Sequence, residues 1–144
     1  MNAKQKKEIE TMLQKLSDAG DALYETREAM GLFEPDESDY EESYRDMIDG
    51  AYGEFMGMWA SRILETCDPI AYSCGLSDYV NSLDSYDDDP DYQVLIVEEQ
   101  DGVENFETIV HEINDYMKDN EFTDEDIEEV DEQIESLERE AEYH

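Results

Sequence analysis

Three kinds of side chain in this chain could do chemistry: rows of carboxylates, two cysteines and two histidines. Carboxylates four residues apart on a helix sit about 6 Å apart along its axis, close to the spacing of successive phosphates on a nucleic-acid strand. Such rows occur at Glu37 and Glu41, at Asp84 and Asp88, at Asp115 and Asp119, and at Glu121, Glu125, Glu128, Asp131, Glu135, Glu138 and Glu142. Rows of this kind can stand in for phosphates before a basic groove; the plainer reading is a solvated acidic face. A second pattern, Asp87-x-Asp89-x-Asp91 followed by Val94 and Glu98, places acids at positions 1, 3, 5 and 12 of a calcium loop. Tyr92 stands where that loop needs Gly and Pro90 falls inside it, so no metal ligand is assigned. Cys67 and Cys74 are seven apart, with neither metal nor redox spacing, and read as reduced thiols. His111 and the terminal His144 offer little to a triad or a metal site, and no Gly-rich phosphate cradle is present. No catalytic residue and no cofactor follow, and the chain reads as a binding protein, not an enzyme.

The charge is lopsided. Residues 28–144 carry 38 acidic side chains against four basic ones, Arg45, Arg62, Lys118 and Arg139, while the first 27 residues balance five against five. The whole net charge of −34 therefore falls on the later segment. A core does not require such a charge, and the compact state suffers self-repulsion from it. Duplex DNA carries about one charge per 1.7 Å, so −34 matches roughly 17 base pairs, or about 58 Å of helix. This field repels nucleic acid and anionic membranes and attracts proteins with basic grooves. Adaptation to high salt would spread acids over the first 27 residues as well.

The elements that position these acids read as helices. With 39% apolar residues at helical spacing, the chain is expected to fold as one domain, 1–144, made of a charge-balanced helix over 1–31 and an acidic body over 32–144. Residues 3–31 carry the seam Ile9, Met12, Leu16, Ala19, Leu23, Thr26, Met30, which suits a helix packed in its own domain or a dimeric coiled coil. Ser38 and Glu41 read as a capping box ahead of a long helix over 39–66. Asp68-Pro69 starts a shorter helix with Tyr72, Leu76, Tyr79, Val80 and Leu83 on its apolar side. The acidic loop 84–91 follows, then Tyr92–Val97 as a short strand or buried helical turn. Two more helices are expected, over 103–118 and from Thr123 on the seam Ile127, Val130, Ile134, Leu137, Ala141. The basic cluster Lys4, Lys6, Lys7 would neutralise Glu138, Glu140 and Glu142 if the terminal helices paired antiparallel. The fold class is mainly α, about five helices, with one short strand or irregular segment near 92–97.

Over residues 28–144 the acid-studded amphipathic helices, the length and the scarcity of bases resemble the DNA-mimic proteins of phages and plasmids: antirestriction proteins of the Ocr and ArdA type and acidic anti-CRISPR proteins. The likeness is one of character. It implies an inhibitor, often dimeric, that occupies the DNA groove of a host-defence enzyme such as a nuclease, a restriction complex or a CRISPR component. The contact surface is expected at Asp36, Glu37, Asp39, Glu41 and Glu42; at Asp84, Asp87, Asp88, Asp89 and Asp91; and at Glu125, Glu128, Asp131, Glu135 and Glu138. An acidic interaction module, such as an immunity protein, antitoxin or chaperone of a basic protein, is the alternative. The opening Met1-Asn2-Ala3-Lys4 leads into a charged helix and the longest aliphatic run is Val94–Val97, so a cytoplasmic location in the host cell is expected, with no membrane contact.

Overall fold

Helix α1, Ala3–Gly31, begins where the sequence supplies its own cap. Asn2 accepts from the Gln5 N–H while the Gln5 side chain accepts from the Asn2 N–H, a reciprocal pair that satisfies two orphan donors. The computed structural model describes residues 1–83 and 85–143, and among them it is mainly α. A short 3₁₀ turn at Glu37–Tyr40 follows α1, then α2 (Glu41–Tyr52), a hairpin of β1 (Glu54–Phe55) and β2 (Met58–Trp59), α3 (Ala60–Cys67), α4 (Pro69–Asn81), α5 (Pro90–Asp119) and α6 (Asp124–Glu140). These pack as two compact units, residues 1–33 with 90–144 and residues 34–89.

The first unit is a three-helix bundle. The α1 seam is real: Ile9, Leu16, Ala19 and Leu23 are buried, and all but Leu23 join one core with Phe106, Ile109, Ile113 and Met117 of α5 and Val130 and Ile134 of α6. The seam is thus covered from within the chain, which takes away the surface a dimeric coiled coil would use. Gly102 lets α5 approach closely, since a Cβ there would stand 3.1 Å from Leu23 Cδ1.

Direction in the bundle corrects one expectation. The Met1 ammonium pairs with Asp126 at 3.0 Å, and at the other end Arg27 Nη1 donates to the Ala141 carbonyl at 3.0 Å. Helices α1 and α6 therefore lie side by side but parallel. The reason is connectivity: α5 runs back along α1, with Gln5 Nε2 donating to the Asn120 carbonyl, and a tight turn then reverses the chain again. Glu121 takes the left-handed conformation there (φ 51°), and the Phe122 N–H reaches the Met117 carbonyl. Lys4, Lys6 and Lys7 consequently sit at the Asp126 end, about 18 Å of helix away from Glu138.

The backbone decides one open reading and overturns another expectation. Of the two readings of Tyr92–Val97, strand or helical turn, the helical one holds: α5 starts at Pro90, which suits a first helical position, and runs for 30 continuous residues. The helix expected over 39–66 is broken by a hairpin. Gly53 (φ 74°) ends α2, and Met56 (φ 53°) with Gly57 (φ 81°) forms a two-residue turn that pairs Glu54 with Trp59 and Phe55 with Met58.

The second unit has its own core of Tyr44, Ile48, Tyr72, Leu76 and Val80. Tyr44 packs on Tyr72 and Tyr79 at ring separations of 5.3 and 5.8 Å, and it fits because position 75 has no side chain. Asp49 of α2 accepts from the Ser61 N–H and hydroxyl at 2.8 and 3.1 Å, which caps the first turn of α3 from outside that helix. Asp68 and Pro69 start α4 as the sequence predicts, with Asp68 accepting from the Ala71 N–H.

Candidate acidic interface

Helix α6 presents the longest ordered row of carboxylates. Thr123 caps it through the Asp126 N–H, and Val130, Ile134 and Ala141 turn one face into the core. The 3.6-residue period then forces what lies opposite into solvent: Glu125, Glu128, Asp131, Glu135 and Glu138 are all exposed. In steps of three and four they run about 20 Å along the helix. Ile127 lies partly buried among Asp124, Glu128, Asp131, Glu132 and Glu135 on the floor of a shallow groove. An apolar floor ringed by carboxylates has the chemistry to accept an aliphatic stem that ends in a cation. The one basic residue of this helix is Arg139, in its last turn.

The acids expected from the 34–42 segment are arranged differently. Asp36 caps the 3₁₀ turn, accepting from the Ser38 N–H (3.0 Å) and hydroxyl (2.8 Å), and these bonds hold its carboxyl below the usual range. This displaces the capping box expected at Ser38: Ser38 lies inside the 3₁₀ turn, its hydroxyl donates to Asp36, and the Glu41 N–H it would have capped bonds to the Ser38 carbonyl. Glu37 accepts from the Ser77 hydroxyl at 2.8 Å. Glu41 is half-buried and accepts from the Tyr72 hydroxyl (2.8 Å) and from Arg45 (3.0 Å); the Tyr72 bond first, then Arg45, lowers its pKa. Arg45 also pairs with Glu65 and lies 5.1 Å over the Tyr72 ring. Asp39 and Glu42 are exposed.

The 84–91 acids divide as well. Asp87 and Asp88 are exposed, while Asp84 lies outside the described residues. Asp89 is buried, only 3% exposed, and accepts from the Tyr40 hydroxyl at 2.7 Å. It is a packing carboxylate, which removes it from the expected contact surface. Asp91 is exposed but belongs to the first turn of α5. With helix from Pro90 onward, positions 4 to 12 of the calcium pattern are helical and cannot wrap a cation.

Among the exposed acids of α5, Asp115 and Asp119 form a row legible by spacing, whereas Asp101, Glu104 and Glu107 are not marked out by it. Glu107 lines a pocket with Arg27, Glu138 and Glu142, so acids of α5 and α6 gather around one arginine of α1. Only the neighbouring apolar positions Val103 and Phe106 hinted that α5 presents that edge beside α6. Lys15 and Glu112 approach to 3.8 Å, both more than half exposed, and such a pair contributes little. No ion pair engages Lys4, Lys6 or Lys7 among the described residues. Of the net charge, −20 belongs to the first unit and −14 to the second. Cys67 and Cys74 are free and exposed. Among the described residues no group of three or more potential ligands is placed to hold a metal, and no helix is long and apolar enough to cross a membrane. Comparison with protein-family models, curated proteins and solved structures finds no match to this chain.

Proposed function

We propose that this chain is a DNA mimic that inhibits a DNA-binding host-defence enzyme, a nuclease, restriction complex or CRISPR effector, by occupying its basic groove. The observation that carries the reading is the α6 row, five exposed carboxylates at helical steps of three and four beside a shallow groove lined by Ile127 and further acids. Like charges three and four apart destabilise a helix, so helix formation does not account for them. The mode of action is binding without catalysis: carboxylates pair with the partner's Lys and Arg, and the summed field speeds encounter. The exposed acids Asp39, Glu42, Asp87 and Asp88 extend the charge to the second unit.

The test is capture of proteins from a bacterial lysate on the immobilised chain at low salt, followed by elution with a short DNA duplex. Release of a nuclease or of a restriction or CRISPR component by DNA supports mimicry. Partners that stay bound through DNA and leave only at high salt point to the second reading, a module dedicated to one basic protein. The capping and packing roles of Asp36, Glu37, Glu41 and Asp89 favour that second reading for the second unit, because they leave fewer carboxylates there for a distributed charge match.

A further inference from the structure

The hairpin breaks the charge pattern of the whole body. Residues 50–64 hold one acid, Glu54, and one base, Arg62, so this stretch is neutral in a segment that carries the entire −34. It is also the most apolar exposed surface described. Tyr52 is 81% exposed, Phe55 69%, Met56 90% and Trp59 52%, and Met47 and Met58 are exposed as well. Between α2 and α3, the helices that the hairpin joins, Met47, Tyr52 and Ile63 line an apolar cavity of about 580 Å³. Aromatic side chains bury about 150–250 Å² each when covered, so three of them with three methionines expose several hundred Å² of apolar surface. The largest patch on an ordinary monomer is about 300–600 Å², and one side of a stable interface buries about 800 Å².

Backbone conformation makes the exposure harder to dismiss as incidental. Met56 holds φ at 53°, a left-handed conformation that a bulky L-residue rarely adopts and that Asn or Gly would take without strain. An apolar side chain is thus held at the tip of a turn that its type disfavours.

We propose that this face pairs with the same face of a second copy of the chain, forming a two-fold dimer through the hairpins. Charge selects that occupant. A basic protein would be drawn to the carboxylates elsewhere on the chain, and an anionic membrane would repel it. A second copy is repelled by every surface except a neutral one. In a two-fold interface residue i meets j and j meets i. Glu54 lies opposite Trp59 across the hairpin and Arg62 follows three residues later. Neither makes an ion pair within the chain among the described residues, so each can meet the other's copy. The inference does not rest on mimicry, because it concerns the purified chain alone.

Sedimentation velocity of the full chain, over a range of concentrations at low and high salt, tests it. The expected result is a dimer in the micromolar range that tightens as salt screens the like charges. Met56→Asn, which suits the turn, and Trp59→Ser should each weaken dimerisation at least tenfold, with circular dichroism unchanged. Arg62→Glu should weaken it too, and adding Glu54→Arg should restore it. A monomer at every concentration and salt, or variants that dimerise as tightly as the parent, would overturn the proposal. So would a monomer that binds phosphatidylcholine vesicles or a basic protein through Trp59.

Discussion

At the scale of single residues, the carboxylates of the second unit that contact sequence-distant partners act as structural acceptors. Asp89 is buried and takes a hydrogen bond from Tyr40. Tyr40→Phe removes that donor from a buried carboxylate and should lower stability by about 1–3 kcal/mol in urea denaturation, leaving partner binding unchanged. Tyr72 gives a prediction in pH. Burial first, and then its bond to Glu41, push its phenol up from about 10 to about 12. A group with a raised folded pKa contributes stability that is full below its unfolded value and is lost as pH rises through its folded value. Urea midpoints of the parent should therefore fall between about pH 10 and 12, and this slope should flatten in Tyr72→Phe. Glu41 works in the opposite sense: its lowered pKa contributes stability at neutral pH that is lost on acidification through the folded value. None of these partnerships was legible in the sequence, because residues 41 and 72 meet only when α2 and α4 pack, and residues 40 and 89 only when the segment after α4 returns to the 3₁₀ turn.

At the scale of elements, close approach and turn chemistry decide. Gly75 of α4 faces the Tyr44 hydroxyl so closely that a Cβ cannot fit without moving a buried ring. Gly75→Ala should destabilise the second unit by about 1–3 kcal/mol, read as a lower urea midpoint. The hairpin predicts the reverse for the monomer: below the dimerisation range, Met56→Gly or Met56→Asn relieves a left-handed Met and should raise stability by about 0.5–1 kcal/mol, read as a higher urea midpoint. Helices α4 and α6 were legible because their caps are local, with Asp68 and Thr123 each reaching an N–H three residues on, and α1 was legible from its apolar seam, its Asn2 cap emerging only in the structure. The break in 39–66 was not, because the apolar spacing of Phe55, Met58 and Trp59 fits a helix stripe even though these side chains are exposed on a hairpin.

For the molecule as a whole, charge governs. Neutralising the α6 row with Glu125→Gln, Glu128→Gln, Asp131→Asn, Glu135→Gln and Glu138→Gln should raise the melting temperature, since each like-charged neighbour pair costs about 0.2–0.5 kcal/mol. The same variant should weaken binding to the basic partner roughly a hundredfold, while single changes each stay below about fivefold, as expected at about 0.2–1 kcal/mol per exposed pair. A titration of parent and variants against the captured partner checks both. If one neutral substitution abolished binding while the fold survived, a distributed charge match would be untenable. Salt separates the two associations by sign: partner binding should loosen with salt, and the hairpin dimer should tighten.

By itself the sequence determined the helical class, the seams of α1 and α6, three helix starts and the segregation of charge, because each depends on periodicity, a cap within three residues or a count. Tertiary structure alone decided which acids face solvent and which, like Asp89 and Glu41, serve the interior. It also decided that α1 and α6 run parallel and that Phe55, Met56, Met58 and Trp59 lie on a surface hairpin and not in a core helix. The physical reason is the same in each case. A carboxylate, a helix axis and an aromatic stripe carry no information about what lies across from them until chain reversals bring a partner there.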